Sequence, residues 1–139
     1  MSGNAPDRAL LVRLVHLSLF TGTALVGVVM FMMRARMDPP PSVDLTLGLA
    51  LAGVAVLAIA IALTQLRQRI TPRESTQSPA DYWGDARTRV AAMIFWAVLE
   101  SAGLLGVVAY YLSGSPIPLG VAIVSVIVGF VMRPAVIEG

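Results

Sequence analysis

Four long apolar stretches, separated by polar breaks, dominate this chain of 139 residues. They cover residues 14–33, 45–66, 90–112 and 117–132. A helix of about 20 residues rises about 30 Å, which matches the hydrocarbon core of a bilayer. The sequence therefore predicts one all-α integral membrane domain over residues 1–139. We expect a four-helix bundle made of two transmembrane hairpins.

Composition excludes an ordinary soluble globule. The chain is 57% hydrophobic and 13% charged, whereas a soluble domain has about 45–50% apolar and about 25% charged residues. Because it has no cysteine, thiolate nucleophiles, disulfides and cysteine-ligated metals are excluded. The sequence contains no phosphate loop, no metal-spaced His/Asp/Glu cluster and no Ser–His–Asp set. We expect no enzymatic activity and no metal site.

The polar breaks set the ends of the predicted spans. Three prolines at residues 39–41 end the first span, because proline lacks the backbone donor that a helix needs. Ser42 and Asp44 offer capping oxygens to the second span. Residues 67–89 form the one sizeable hydrophilic loop, which we expect to be cytoplasmic, with a short interfacial helix near residues 81–87. Tyr82 and Trp83 in this loop predict that it lies at the level of the lipid headgroups, where aromatic residues are enriched.

The arginines predict the orientation of the spans. All ten basic residues are arginine, and only Arg34 and Arg36 lie between the first two spans. The other eight lie in the N-terminal segment, the central loop and the C-terminal segment: Arg8, Arg13, Arg67, Arg69, Arg73, Arg87, Arg89 and Arg133. The positive-inside rule therefore predicts cytoplasmic termini, and we expect a bacterial inner-membrane location. The spread of charge favours lipids, other membrane subunits or self-association as partners, and not nucleic acid.

An acidic residue in the third span is the main candidate site. Glu100 lies near the middle of residues 90–112, where an ionised side chain costs several kcal/mol by most estimates. We expect its carboxyl group to be protonated, paired or functional. One interpretation is proton or ion carriage. The other is a hydrogen bond between helices, to Thr21, Ser125 or a backbone carbonyl, worth about 0.6–2 kcal/mol.

The residues around Glu100 resemble a known membrane family. Residues 98–109, Val-Leu-Glu-Ser-Ala-Gly-Leu-Leu-Gly-Val-Val-Ala, are similar to the second helix of the rotor-ring c subunit (proteolipid) of ATP synthase. Residues 66–69, with Pro72 and Glu74, resemble the polar Arg-Gln-Pro loop of that family, which faces the cytoplasm. The resemblance covers the second and third predicted helices. It implies that Glu100 binds and releases a proton as a ring turns past a stator arginine.

The single histidine is a second candidate site. His16 lies about one turn beyond Arg13 in the first span, and a neutral imidazole nitrogen there could ligate a haem or a chlorophyll. The alternative is a histidine bonded to backbone or to a lipid headgroup. We expect no cofactor, with haem or chlorophyll as the open alternative.

Small residues predict where helices approach closely. Gly48 and Ala52 form a small-xxx-small pair on the second span, and Gly103 and Gly106 lie on the third. Most of the chain lies in the predicted spans, and it contains no set of residues typical of catalysis. Together with these helix-packing faces, this favours a non-enzymatic accessory or structural subunit of a larger membrane complex. The alternatives are a proton- or ion-carrying rotor-type proteolipid that uses Glu100, and a pigment- or haem-binding subunit that uses the histidine.

Overall fold

The structure, a computed structural model, describes residues 7–38 and 43–138. These residues form α-helices and no β-strand, which confirms the predicted all-α class. The helices are α1 (Arg8–Arg36), α2 (Leu45–Ile61), α3 (Pro79–Gly84), α4 (Ala86–Ser113), α5 (Pro116–Val131) and α6 (Pro134–Glu138). The predicted proline break at residues 39–41 and the predicted cap at Ser42 lie outside the described residues.

Three helices in the described part of the chain are long and apolar enough to cross a membrane. They are α1 with 29 residues, α4 with 28, and α2 extended to Arg69 by a π-helical and a 3-10 turn, with 25. Helix α5 is apolar but has 16 residues. Its rise of about 24 Å is shorter than the hydrocarbon core of about 30 Å. The chain therefore fits a small membrane protein.

Capping aspartates start α1 and α4 before the apolar stretches begin. The Asp7 side chain accepts a hydrogen bond from the Ala9 backbone N–H, and Asp85 accepts from Thr88 N at 2.9 Å. The short helix of the central loop is α3, slightly earlier than residues 81–87. Ser78 caps it at its start, and Asp85 then opens a new helix.

Helices α4 and α5 form the centre of the packing. Each contacts the other, and each contacts α1 and α2. Within the described part of the chain, α1 and α2 share no extensive contact, although the predicted hairpins pair them. Consecutive α1 and α2 therefore lie on opposite sides of the α4–α5 pair.

One end of the helices carries most of the arginines and the largest buried side chains. Arg8 at the start of α1 donates to the Gly84 carbonyl, and the Trp96 indole on α4 donates to the carbonyl of Met132 just after α5. We call this the arginine-rich end. Large apolar side chains elsewhere point outward: Leu25 on α1 is 63% exposed and Leu57 on α2 is 60% exposed. Such outward apolar faces are typical of helices that contact lipid or other membrane helices.

Candidate functional site

Glu100 lies in the middle of α4, whose bounds are Ala86 and Ser113. Its side chain is half-buried, between the fully buried Leu99 and the exposed Ser101. No hydrogen bond joins its carboxyl group to another described residue, and the ion pair that these residues form lies elsewhere. An acidic group therefore lies midway along a helix of membrane-spanning length without a polar partner among the described residues.

Neither predicted partner reaches the Glu100 carboxyl group. Thr21 is exposed on α1, whereas Thr23 is the buried threonine of that helix. Ser125 is fully buried on α5, and its hydroxyl donates to the backbone carbonyl of Leu99 at 2.5 Å. The structure thus brings Ser125 to the α4 backbone one residue before Glu100, and leaves the carboxyl group without either predicted partner.

The side of α4 away from the other helices carries a row of exposed residues. They recur at helical spacing, and we call them the outward face of α4: Val90, Ile94, Ala97, Ser101 and Val108. The side chains in the middle of this face, Ala97 and Ser101, are small. The Ser101 hydroxyl donates a hydrogen bond to the Ala97 carbonyl at 2.7 Å and so stays close to the helix. Glu100 lies at the edge of this face.

Two predicted packing glycines on α4 lie where other helices come close. A Cβ atom on Gly103 would lie 3.0 Å from Cγ2 of Thr23 on α1. A Cβ atom on Gly106 would lie 2.8 Å from the Pro118 carbonyl oxygen and 2.9 Å from the Ala122 nitrogen, both on the α5 backbone. Helices α4 and α5 therefore approach to backbone contact at Gly106.

The predicted pair on α2 lies on its buried side. Gly48 packs against Ser113, and a Cβ atom there would overlap the Ser113 side chain. Ala52, one turn further, is 4% exposed. The spacing of small residues on α2 thus coincides with its contact with α4.

His16 is buried on α1 and is already hydrogen-bonded. Its Nε2 lies 2.8 Å from the Gly129 carbonyl oxygen on α5, so Nε2 carries the proton and donates. Its ring centroid lies 4.9 Å from that of Trp96 and 5.1 Å from that of Phe20. Axial ligation of a haem through Nε2 would require this hydrogen bond to break.

Two side chains close the end of α5 at the arginine-rich end. The last turn of a helix leaves carbonyl groups without intrahelical donors. His16 donates to the Gly129 carbonyl and Trp96 to the Met132 carbonyl, the latter at 2.9 Å. Helices α1 and α4 thereby supply donors to two backbone carbonyl groups at the end of α5. In this arrangement His16 and Trp96 cap the end of α5.

Glu138 is a buried acid next to Trp83 that the sequence patterns do not predict. Glu138 is 7% exposed, accepts a hydrogen bond from the Trp83 indole at 2.8 Å, and lies 3.5 Å from an Arg13 nitrogen. Tyr82 and Trp83 are buried in the protein core, although the sequence favours the headgroup level for them. Nothing in the local sequence links Trp83 to an acid 55 residues away.

The central loop holds two groups with shifted titration. Burial raises the pKa of the Tyr82 phenol, whose hydroxyl donates to the Thr71 carbonyl at 2.7 Å. Hydrogen bonds from the Thr88 hydroxyl and backbone lower the pKa of the Asp85 carboxyl group. These contacts hold the loop against the start of α4.

Among residues 7–38 and 43–138, no group of three or more His, Asp and Glu side chains could hold a metal ion. Comparisons with protein-family models, with curated proteins and with solved structures find no match to this chain. The class of the protein is therefore defined by its fold alone. Over residues 7–38 and 43–138 it is an all-helical protein, with three helices long and apolar enough to cross a membrane.

Proposed function

We propose that this chain is a non-enzymatic accessory subunit of a larger membrane complex, which it contacts through the outward face of α4. The observation that carries the proposal is Glu100, a half-buried carboxyl group without a partner in the described part of the chain. An ionisable group in a membrane is costly while it is charged and unpaired. A hydrogen-bond donor on a neighbouring subunit would supply the partner that the described residues do not provide.

The shape of the outward face supports a helix as the partner. Ala97 and Ser101 stand one turn apart, and small residues at this spacing allow two backbones to approach closely. Ile94 and Val108 flank the small patch and are 49% and 45% exposed. A partner helix would lie over the small patch with its polar group beside Glu100.

The proposal extends to topology. The arginine-rich end lies on the cytoplasmic side in this account, and α5 serves as a short fourth span with both termini cytoplasmic. A short span is accommodated by local bilayer thinning or by neighbouring helices. Single cysteines test this, since the chain has none. Thr76→Cys should react with a membrane-impermeant maleimide only from the cytoplasmic side, and Val43→Cys only from outside.

The association test is native mass spectrometry of the tagged full chain, extracted from its own membranes in mild detergent. We expect foreign subunits in fixed stoichiometry with the wild type. Ser101→Leu should remove them, because the larger side chain separates the backbones. Gly53→Leu on α2 is the matched control, since a Cβ atom at Gly53 meets nothing within 4 Å. A wild type that stays monomeric contradicts the proposal, and so does equal loss in both variants.

Proton carriage is the second candidate, and it depends on the same unpartnered Glu100. Proton carriage requires that the Glu100 carboxyl group take up and release a proton, whereas an accessory role requires only a lasting hydrogen bond to one partner. Glu100→Gln separates the two, because the amide keeps size and hydrogen bonding but cannot ionise. If the chain is an accessory subunit, the Glu100→Gln variant should still assemble with its partners and support their activity. If it carries protons, the variant should assemble but no longer support proton transfer.

Chemical labelling adds an independent readout on Glu100. Dicyclohexylcarbodiimide reacts with protonated carboxyl groups in apolar surroundings. A rotor-type subunit should be labelled at Glu100 with strong pH dependence between pH 5 and pH 8, and should migrate as a closed ring of identical chains. A chain held against a foreign subunit should be protected until the complex is dissociated.

A further inference from the structure

A cavity of about 530 Å³ opens between α1 and α5 at the arginine-rich end. Arg13 and Leu17 line it from α1, and Phe130 and Arg133 line it from the α5 side. Two guanidinium groups from distant parts of the sequence thus border one space, beside apolar side chains. This combination suits a ligand with an anionic head and an apolar body.

Both guanidinium groups have free donors. Arg133 is exposed and makes no side-chain hydrogen bond or ion pair with another described residue. Arg13 is 53% exposed and lies 3.5 Å from the Glu138 carboxylate, the long end of the ion-pair range. A guanidinium presents five N–H donors in a planar fork that matches phosphate oxygens. A phosphate between the two side chains would satisfy donors that the protein leaves open.

A separate apolar groove lies between the same two helices, farther from the arginine-rich end. A second cavity, of about 320 Å³, lies between the middle parts of α1 and α5 and is almost wholly apolar. Ala24 and Val28 line it from α1, and Val126 and Ile127 line it from α5. Leu17, Ala24 and Val28 share one stripe of α1, because they are seven and four residues apart.

The distance from Arg13 to the far part of the apolar groove fits an acyl chain. Arg13 lines the first cavity and Val28 lines the second, and the two residues are fifteen positions apart on one continuous helix. The separation is about 22 Å along the helix axis. A headgroup held at Arg13 therefore places the carbon chain of the same molecule beside the apolar groove. Neither a free phosphate nor an apolar helix would use both parts.

We propose that the α1–α5 side binds one anionic phospholipid, with its phosphate between Arg13 and Arg133 and one acyl chain in the apolar groove. This site lies apart from the outward face of α4 and does not depend on the proposed association. The Glu100→Gln substitution should leave lipid binding unchanged. Loss of the foreign subunits would likewise leave the lipid in place.

Native mass spectrometry of the purified full chain in neutral detergent tests the headgroup site. Phosphatidylglycerol, phosphatidylcholine with the same acyl chains, and inorganic phosphate are added separately. We expect preferential retention of phosphatidylglycerol. Arg133→Gln should lower its retention about fivefold, the factor that corresponds to about 1 kcal/mol per basic residue. Arg87→Gln, an exposed arginine outside the cavity, is the charge-matched control and should change nothing.

A second pair of variants tests the acyl-chain groove. Ala24→Phe fills the groove and should lower phosphatidylglycerol retention, whereas Gly22→Phe points into open space and should not. Equal retention of the two lipids overturns the proposal. Binding of inorganic phosphate that Arg133→Gln abolishes, together with lipid retention that Ala24→Phe leaves unchanged, also overturns it and assigns the site to a soluble phosphate.

Discussion

Replacing Gly106 by alanine tests the close approach of α4 and α5. The new Cβ atom would lie 2.8 Å from the Pro118 oxygen and 2.9 Å from the Ala122 nitrogen. Real Cβ atoms essentially never lie closer than 3.0 Å to a non-bonded heavy atom. Since both neighbours are backbone atoms, the two helices would have to separate. Overpacking of this kind costs about 1–3 kcal/mol.

Gly120→Ala on α5 is the matched control. A Cβ atom at Gly120 meets nothing within 4 Å. Alanine gains about 1 kcal/mol over glycine in a helix interior, and this gain is common to both variants. The difference between them therefore isolates the packing cost, and Gly106→Ala should be about 1–3 kcal/mol less stable than Gly120→Ala.

The assay is unfolding by a denaturing detergent, followed by tryptophan fluorescence. Trp83 and Trp96 are both buried, so their emission should shift when the helices separate. Equal free energies of unfolding for Gly106→Ala and Gly120→Ala would refute the backbone contact. The crossing point of α4 and α5 would then lie elsewhere.

Three further predictions concern the ends of α4 and the buried acid. Trp83→Phe should lower the free energy of unfolding by about 1–3 kcal/mol, because the buried Glu138 carboxylate loses a hydrogen-bond donor. Glu138→Gln keeps an oxygen that can accept from the Trp83 indole, so it should lower the free energy of unfolding by less in the same detergent titration. Gly114→Ala should cost roughly 1–2 kcal/mol, because Gly114 has a φ of 66° and L side chains are strained there; an unchanged midpoint would contradict this. Asp85→Ala should lower the thermal midpoint at neutral pH. Because folding lowers the Asp85 pKa below its ordinary 3.8, the stabilisation is complete above that value and is lost as the pH falls through the lowered pKa, so the gap between wild type and variant should close in acid.

Helix content was readable from the sequence because apolar runs and capping residues are local signals. The apolar run beginning at Leu14 marks only the part of α1 that suits a hydrocarbon core. The helix itself begins at Arg8, since Asp7 caps it and the arginine, alanine and leucine residues of its first turns are good helix formers. Hydropathy therefore locates the apolar segments and underestimates the length of α1.

The pairing of helices was not readable from the sequence. Helix α2 is apolar on all sides, so no polar face indicates its neighbour. Close contacts depend on backbone atoms, such as the Gly129 carbonyl that accepts a hydrogen bond from His16. The identity of a residue does not indicate which distant carbonyl group it will contact. Glu100 was found because a charge in an apolar run is visible, but its lack of a partner is a property of the packed helices.

Site-specific cross-linking in native membranes tests whether the outward face of α4 contacts a foreign subunit. Since the chain has no cysteine, Ser101→Cys can carry a single photoreactive maleimide on the outward face of α4, and Leu57→Cys can carry it on the exposed side of α2. We expect an adduct of one defined mass with a foreign membrane protein from position 101 and none from position 57. Adducts with lipid alone at both positions would contradict this expectation.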